Sequence, residues 1–298
     1  MAMTKANPYQ IHGGVLGTHD PCIVNISGGR SSGYMLRQIL DAYPDGVPDD
    51  VHFVFTNTGR EMPETLDFVA EMARRWAAPI VWLERDPDVA EGYREVGHNS
   101  ASREGEPFER LIRDRKYLPN RVARFCTSEL KIAPSKKWMQ ARGYETWAGV
   151  LGFRADEKRR LLGAQKKDGK KQPWYTLAPM VDAGVTKREV TAFWRSQPFD
   201  LRLPNIRGAT PLGNCDGCFL KGDATLAGIC RSHPERFDWW VRMEREIVEM
   251  TGTGDAKTFR GADRRSHTNL AAFTRDQGDL LADLPDDADG IDCFCTGD

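Results

Sequence analysis

No stretch of this 298-residue chain approaches the ~18 consecutive apolar residues that a membrane-spanning helix needs, so no membrane partner is expected. Met1 to Asp20 lacks the compact apolar core of a signal peptide. Net charge is nearly absent: 42 Lys and Arg stand against 43 Asp and Glu, so no global field draws the chain to nucleic acid or an anionic surface. The spacing of an extracellular disulfide framework is missing too. Seven cysteines are an odd number, and pairs of them suit metal or redox chemistry in a reducing compartment, so cytoplasm is the expected location. Internal repeats and low-complexity tracts are lacking, which sets aside solenoids and long disordered linkers.

What is present reads as an enzyme-sized α/β chain. Hydrophobic residues make up 40% of it, enough for a core at a size where about three-quarters of the surface leaves water on folding. Strands predicted near 22–26, 51–56, 80–84 and 147–151 alternate with helices near 33–42, 64–77 and 132–142. That alternation predicts a doubly wound, mostly parallel sheet. A helix over Val185 to Trp194, capped by Thr186, and further helices after Cys218 predict a helical, cysteine-bearing C-terminal part. The expected organisation is a flexible arm over 1–20, an α/β nucleotide-binding domain over 21–205, and the cysteine-bearing region and tail over 206–298. The polar stretch from Arg85 to Arg124, punctuated by glycines, suits a mobile lid. Basic runs at Arg110–Arg124 and Lys158–Lys171 are either solvated faces or contacts for a phosphate-rich partner such as a polynucleotide.

The most informative segment is Ser27-Gly28-Gly29-Arg30-Ser31-Ser32-Gly33, set between a buried strand and an amphipathic helix. Glycines let the backbone approach a ligand, and the amides at a helix start face a phosphate. Hydroxyls of Ser27, Ser31 and Ser32 add donors. A short glycine motif also serves as an ordinary turn. Cys215-x-x-Cys218, flanked by Gly213 and Gly217, is the strongest metal signal, since two thiolates three residues apart reach one centre from the same side. Spacing alone extends it to Cys230 and His233, an array that suits zinc, although Cys230 also falls with Leu226 and Ile229 on an apolar helix face. Cys22, inside the first strand, is expected to be inert.

The serine-glycine loop resembles the PP-loop of the adenine nucleotide α-hydrolase superfamily, usually Ser-Gly-Gly-x-Asp-Ser, with Ser31 in place of the Asp of many ATP-hydrolysing members. Thr56-Asn57-Thr58-Gly59-Arg60-Glu61-Met62-Pro63-Glu64-Thr65 looks like the Asp-Thr-Gly…Phe-Pro-Glu-Thr stretch of phosphoadenosine phosphosulfate (PAPS) reductases, with Asn57 for Asp. Cys126-Thr127-Ser128-Glu129-Leu130-Lys131 resembles their Cys-Thr-x-x-x-Lys segment. Gly152-Phe153-Arg154-Ala155-Asp156-Glu157 resembles their Gly-Ile-Arg-x-x-Glu motif. The Cys215–Lys221 segment is similar to one in phage and DNA-modification members. The C-terminal Glu-Cys-Gly-Leu/Ile-His of thioredoxin-dependent PAPS reductases is not found; Asp292-Cys293-Phe294-Cys295 matches it only by position.

This resemblance implies ATP or another adenine nucleotide held by Ser27, Gly28, Gly29, Arg30, Ser31, Ser32, Asn57, Thr58 and Gly59, with Mg as an optional companion. It implies Arg154, Lys131 and Arg160 as the cations that neutralise developing charge. It points to a 4Fe-4S cluster on Cys126, Cys215, Cys218 and one of Cys293 and Cys295, against zinc as the alternative. The implied activity is ATP-dependent adenylation coupled to sulfur transfer, with a sulfur donor or acceptor as partner. The alternatives are reduction of a nucleotide-bound sulfonate, and a non-catalytic nucleotide-binding module with a structural zinc.

Overall fold

The computed structural model describes residues 6–170, 172–206, 208–252 and 258–277. Six strands form one sheet: β1 (Cys22–Ile26), β2 (Val51–Thr56), β3 (Ile80–Arg85), β4 (Tyr93–Val96), β5 (Trp147–Val150) and β6 (Trp174–Leu177), in the order β4-β3-β2-β1-β5-β6. All neighbours are parallel except β3 and β4. Strand β1 reads Cys-Ile-Val-Asn-Ile and is buried along nearly its whole length, as a central strand covered on both faces must be.

The helices are α1 (Arg30–Ala42), α2 (Pro63–Arg75), α3 (Glu106–Arg115), α4 (Phe125–Thr127) and α5 (Ala133–Ala141). They continue with α6 (Lys158–Gln165), α7 (Pro179–Asp182), α8 (Lys187–Ser196), α9 (Asp223–Ser232), α10 (Pro234–Thr251) and α11 (His267–Gln277). Pro63 opens α2, where a missing amide hydrogen costs nothing. Thr186 caps α8 through a reciprocal capping box with Glu189. A π-helical turn, Ser128–Ile132, joins α4 to α5, and a 3-10 turn, Ala155–Glu157, precedes α6.

The chain divides into two units. One contains Met1–Thr56, Pro63–Ala101 and Pro134–Thr210; it holds the sheet and its flanking helices. Ile23, Val54, Leu83, Trp138 and Trp147 form one of its cores. The other contains Asn57–Met62, Ser102–Ala133 and Pro211–Asp298. Its core gathers Phe108, Leu111, Phe219, Trp240 and Met243 around Cys215 and Cys218.

Two expectations change. Over residues 6–20 the N-terminal stretch packs rather than hanging loose, with Tyr9 and Ile11 buried and the Tyr43 hydroxyl bonded to the His12 backbone. The expected lid carries β4 and α3. Strand β4, Tyr-Arg-Glu-Val, lacks apolar alternation because it is an edge strand, and Arg94 pairs with the buried Glu84 beside it. The expected tail over 281–298 lies outside the described residues.

Candidate functional site

Sheet order locates the first part of the site. The chain runs from β1 to β2 on one side and later places β5 on the other, so strand order reverses between β1 and β5. Ligands of open α/β sheets bind at such a switch point, outside the carboxyl ends of the strands. The two segments leaving it are Ser27–Ser32 after β1 and Leu151–Arg154 after β5. They approach closely: a Cβ on Gly152 would lie 3.4 Å from Ser32 Cα.

Within the first segment, Gly28 has φ +74°, and Gly29 is the N-cap of α1 with no side-chain cap. No side chain therefore caps the amides of the first turn, the arrangement that receives an anion. The Ser32 hydroxyl accepts from Ser27 N at 3.2 Å and Ser27 Oγ at 3.0 Å, and donates to the Gly29 carbonyl at 2.9 Å. Arg154 Nη1 donates to Ser31 Oγ at 3.0 Å. Asp156 and Glu157 hold the same guanidinium, at 3.1 and 3.3 Å, and Glu157 also pairs with Arg160. Arg154 thus reaches the loop, while Arg160 stands behind it across a shared carboxylate. Arg30 turns elsewhere: it bonds to both oxygens of Asp200, to Thr210 Oγ1 and to the carbonyls of Leu201 and Leu203.

Asn57, Thr58 and Gly59 belong to the second unit and are buried. Asn57 donates to the Ser102 carbonyl at 2.8 Å and accepts from Gly59 N at 3.2 Å. Glu61 Oε2 accepts from Thr58 N and Thr58 Oγ1, at 2.9 and 2.8 Å. The Glu61 backbone bridges to Cys215, and Thr58 Oγ1 lies 3.5 Å from Cys215 Sγ. Lys131 is buried with Nζ 3.7 Å from Glu61 Oε1. The π-helical turn explains this placement: its wider turn puts the consecutive residues Leu130 and Lys131 both inside.

The turn carrying the paired cysteines is organised by Asp216, which has no solvent exposure. Its Oδ1 accepts from Gly217 N and Trp240 Nε1, both at 2.7 Å. Its Oδ2 accepts from Arg60 at 2.6 Å and Arg236 at 2.5 Å. Burial pulls the Arg60 guanidinium down from its ordinary range, and Asp216 opposes that pull. His267 Nε2 donates to the Gly217 carbonyl at 2.7 Å, a direction set because a carbonyl only accepts.

Cys126 packs against the cluster that contains Cys215 and Cys218, and Cys230 is not part of it. Cys230 lies beside Asp238 and Thr274, its thiol raised by burial. Cys22 is sealed in β1, its thiol pushed up to about 12 by burial, which agrees with an inert residue. Among the described residues, no three His, Cys, Asp or Glu side chains converge as a finished metal site. Cys126, Cys215 and Cys218 belong to one packed cluster, and thiolates are a donor type of both iron–sulfur and zinc sites. Cys293 and Cys295 lie outside the described residues. The sequence alone assigned no role to Asp216, Glu61, Glu157 or His267, although Glu61 and Glu157 fall within the family-like motifs. Asp216 left a signal, an acid between two cysteines bracketed by glycines; its arginine partners are 156 and 20 residues away.

Residues 21–199 match the phosphoadenosine phosphosulfate reductase domain family. Over 221 residues, 70% of this chain and 69% of the relative, the sequence is 34% identical to the nin region protein ORF290 of Escherichia phage lambda. Phosphoadenylyl-sulfate (PAPS) reductase from Candida auris, solved as a phosphate complex, is similar with a TM-score of 0.40 and 14% identity, over 62% of this chain and 76% of that one. U34-tRNA thiolase NcsA from Methanococcus maripaludis, solved with its 4Fe-4S cluster, is similar with a TM-score of 0.40 and 12% identity, over 87% of this chain and 82% of that one. The matched span includes the loop after β1, the 57–65 stretch, the Cys126–Lys131 segment and Arg154, and stops before Cys215. On that match, the chain belongs to the phosphoadenosine phosphosulfate reductase domain family.

Proposed function

We propose that this protein is an adenine-nucleotide-dependent enzyme of sulfur chemistry, with the nucleotide phosphates held at the β1–β5 switch point. The observation that carries the reading is the 3.0 Å bond from Arg154 to Ser31. It brings a guanidinium to an uncapped helix start, so two sources of positive potential act on one loop. In the leading version ATP is cleaved between its α and β phosphates, an acceptor oxygen is adenylated and pyrophosphate leaves. A sulfur nucleophile then displaces AMP. Ser27, Gly28, Gly29, Ser31 and Ser32 cradle phosphate, Arg154 neutralises charge, and Arg160 and Lys131 are further cations whose carboxylate partners position them. Asn57, Thr58 and Gly59 shape the loop beneath Cys215, and Arg30 acts through its anchor on Asp200. Cys126, Cys215, Cys218 and one of Cys293 and Cys295 would hold a 4Fe-4S cluster, which supplies, when bound, a site for the sulfur being transferred.

One observation favours a second reading, the reduction of a nucleotide-bound sulfonate. Ser31 stands where many ATP-hydrolysing relatives have a carboxylate, and here it meets a cation. A sulfonate needs that cation and no metal-orienting acid. Anaerobically purified protein separates the readings: pyrophosphate from ATP supports adenylation, sulfite from PAPS supports reduction, and neither product leaves a nucleotide-binding module. Arg154→Lys should remove activity while the protein stays folded, because the bidentate fork is lost; full activity would return Arg154 to a surface-pair role. Replacing Cys126, Cys215 or Cys218 by Ala, or removing Ile291 to Asp298, should abolish iron and acid-labile sulfide. Cys230→Ala and His233→Ala should leave both. Stoichiometric zinc lost on mutating His233 would defeat the cluster assignment.

A further inference from the structure

The fold treats the two basic runs differently. In the first, Arg110 pairs with Asp114, Arg113 with Glu109 and Glu246, and Arg115 with Glu129. These three arginines are met by carboxylates of their own unit. The second run lies in the sheet-bearing unit, where residues 154–202 contain 12 Lys and Arg against 6 Asp and Glu. Four of those six carboxylates are engaged already: Asp156 and Glu157 by Arg154, Glu189 by Arg188 and Asp200 by Arg30. Lys158, Arg159, Lys187 and Arg195 make no ion pair among the described residues.

Two of these cations, Lys187 and Arg195, line a concavity. A groove of about 840 Å³ is lined by Lys187, Arg188, Thr191, Arg195, Asn205 and Asp156. Lys158 and Arg159 follow Asp156 by two and three residues, and the Ala155 amide bonds to the Val185 carbonyl, which joins that turn to the start of α8. The Lys187 stem lies over Gly208, where a Cβ would come 2.4 Å from its Cε. Lys187 and Arg195 sit eight residues apart on α8, about 12 Å along the axis, a length over which one strand of a duplex presents about three phosphates. The groove also adjoins the phosphate loop, because Arg154 bridges Asp156 on its wall to Ser31.

We propose that this groove binds the phosphodiester backbone of a nucleic acid. The inference rests on the proposed function only for the chemistry that would follow binding; the binding itself stands on charge and shape. A single phosphate would occupy a fraction of the groove, and its concavity fits a strand rather than a bilayer.

The test is fluorescence anisotropy of the full chain with labelled single-stranded RNA, single-stranded DNA and duplex DNA of one sequence, over a range of salt. At least one should bind, with affinity falling as salt rises. Lys187→Glu with Arg195→Glu should weaken binding by about 100-fold and reduce the salt slope by about two. Should that pair fail to fold, Lys158→Gln with Arg159→Gln, both exposed, should weaken binding about 10-fold and lower the slope in the same sense. Arg110→Gln with Arg115→Gln should leave it within about 2-fold, because those charges are spent on carboxylates. Binding to none of the three, undiminished binding by the altered groove, or capture only by anionic vesicles would overturn the proposal. ATP calorimetry on the same proteins keeps the two readings apart: lost ATP binding with intact nucleic-acid binding defeats the nucleotide assignment alone.

Discussion

A side chain on Gly28 would place its Cβ 2.4 Å from Thr65 Cγ2, whereas one on Gly29 would meet nothing nearer than Ser27 Oγ at 3.6 Å. Gly28 also holds φ +74°, a conformation that side chains resist. The two glycines should therefore separate stability from binding. Gly28→Ala is expected to cost more than about 1 kcal/mol, seen as a lower urea midpoint. Gly29→Val should leave the midpoint nearly unchanged and abolish calorimetric binding of ATP and PAPS, because the branched side chain fills the approach to the helix start. Unchanged affinity for every adenine nucleotide would remove the loop from the site.

The cysteine turn and the helices α10 and α11 are joined through buried charge. Removing the Asp216 carboxylate leaves two buried arginines without their counter-ion, so Asp216→Ala should cost about 3–5 kcal/mol in chemical denaturation. The thiols of Cys215 and Cys218 should then lose their protection from alkylation, since the same residue fixes the turn. Glu244 makes the next connection, accepting from the His267 and Thr268 backbones and from the Thr268 hydroxyl. Burial raises its pKa, but the bonds from His267 and Thr268 prevail and hold it below the ordinary 4.5. A folded value below the unfolded one gives stability that is complete above about 4.5 and lost as pH falls through the depressed value. Denaturation midpoints taken at falling pH should drop in that window. Glu244→Gln should be less stable at neutral pH and show a flatter acid limb.

At the scale of the whole chain, Arg30 connects the serine-glycine loop to Asp200, 170 residues later. Its five hydrogen bonds beyond the first to Asp200 reach Thr210 and the Leu201 and Leu203 carbonyls as well as that carboxylate. Arg30→Ala should lower stability by about 2 kcal/mol, the scale of bonds to a charged group. Nucleotide affinity should fall less than with Gly29→Val, because the lost bonds hold the loop from behind. A larger loss of affinity than of stability would place Arg30 on the ligand instead.

Local order determined much of this protein. Strands β1, β2, β3 and β5 were legible because a buried strand writes a continuous apolar run, and α8 was legible because Thr186 offers a cap ahead of its apolar residues. The placement of the serine-glycine loop was legible because strand, loop and helix are contiguous in sequence. Strand β4 was hidden because an edge strand has no apolar alternation to show. Inward placement of Lys131 depends on a π-helical turn that adds one residue to a helix without any marker of composition. The partners of Arg30, the Arg154–Ser31 bond and the arginines around Asp216 were decided only in three dimensions, since each of these contacts closes over 20 to 180 residues. Which basic run keeps its charge was decided there as well, because a carboxylate cancels an arginine by proximity in space, whatever its place in the chain.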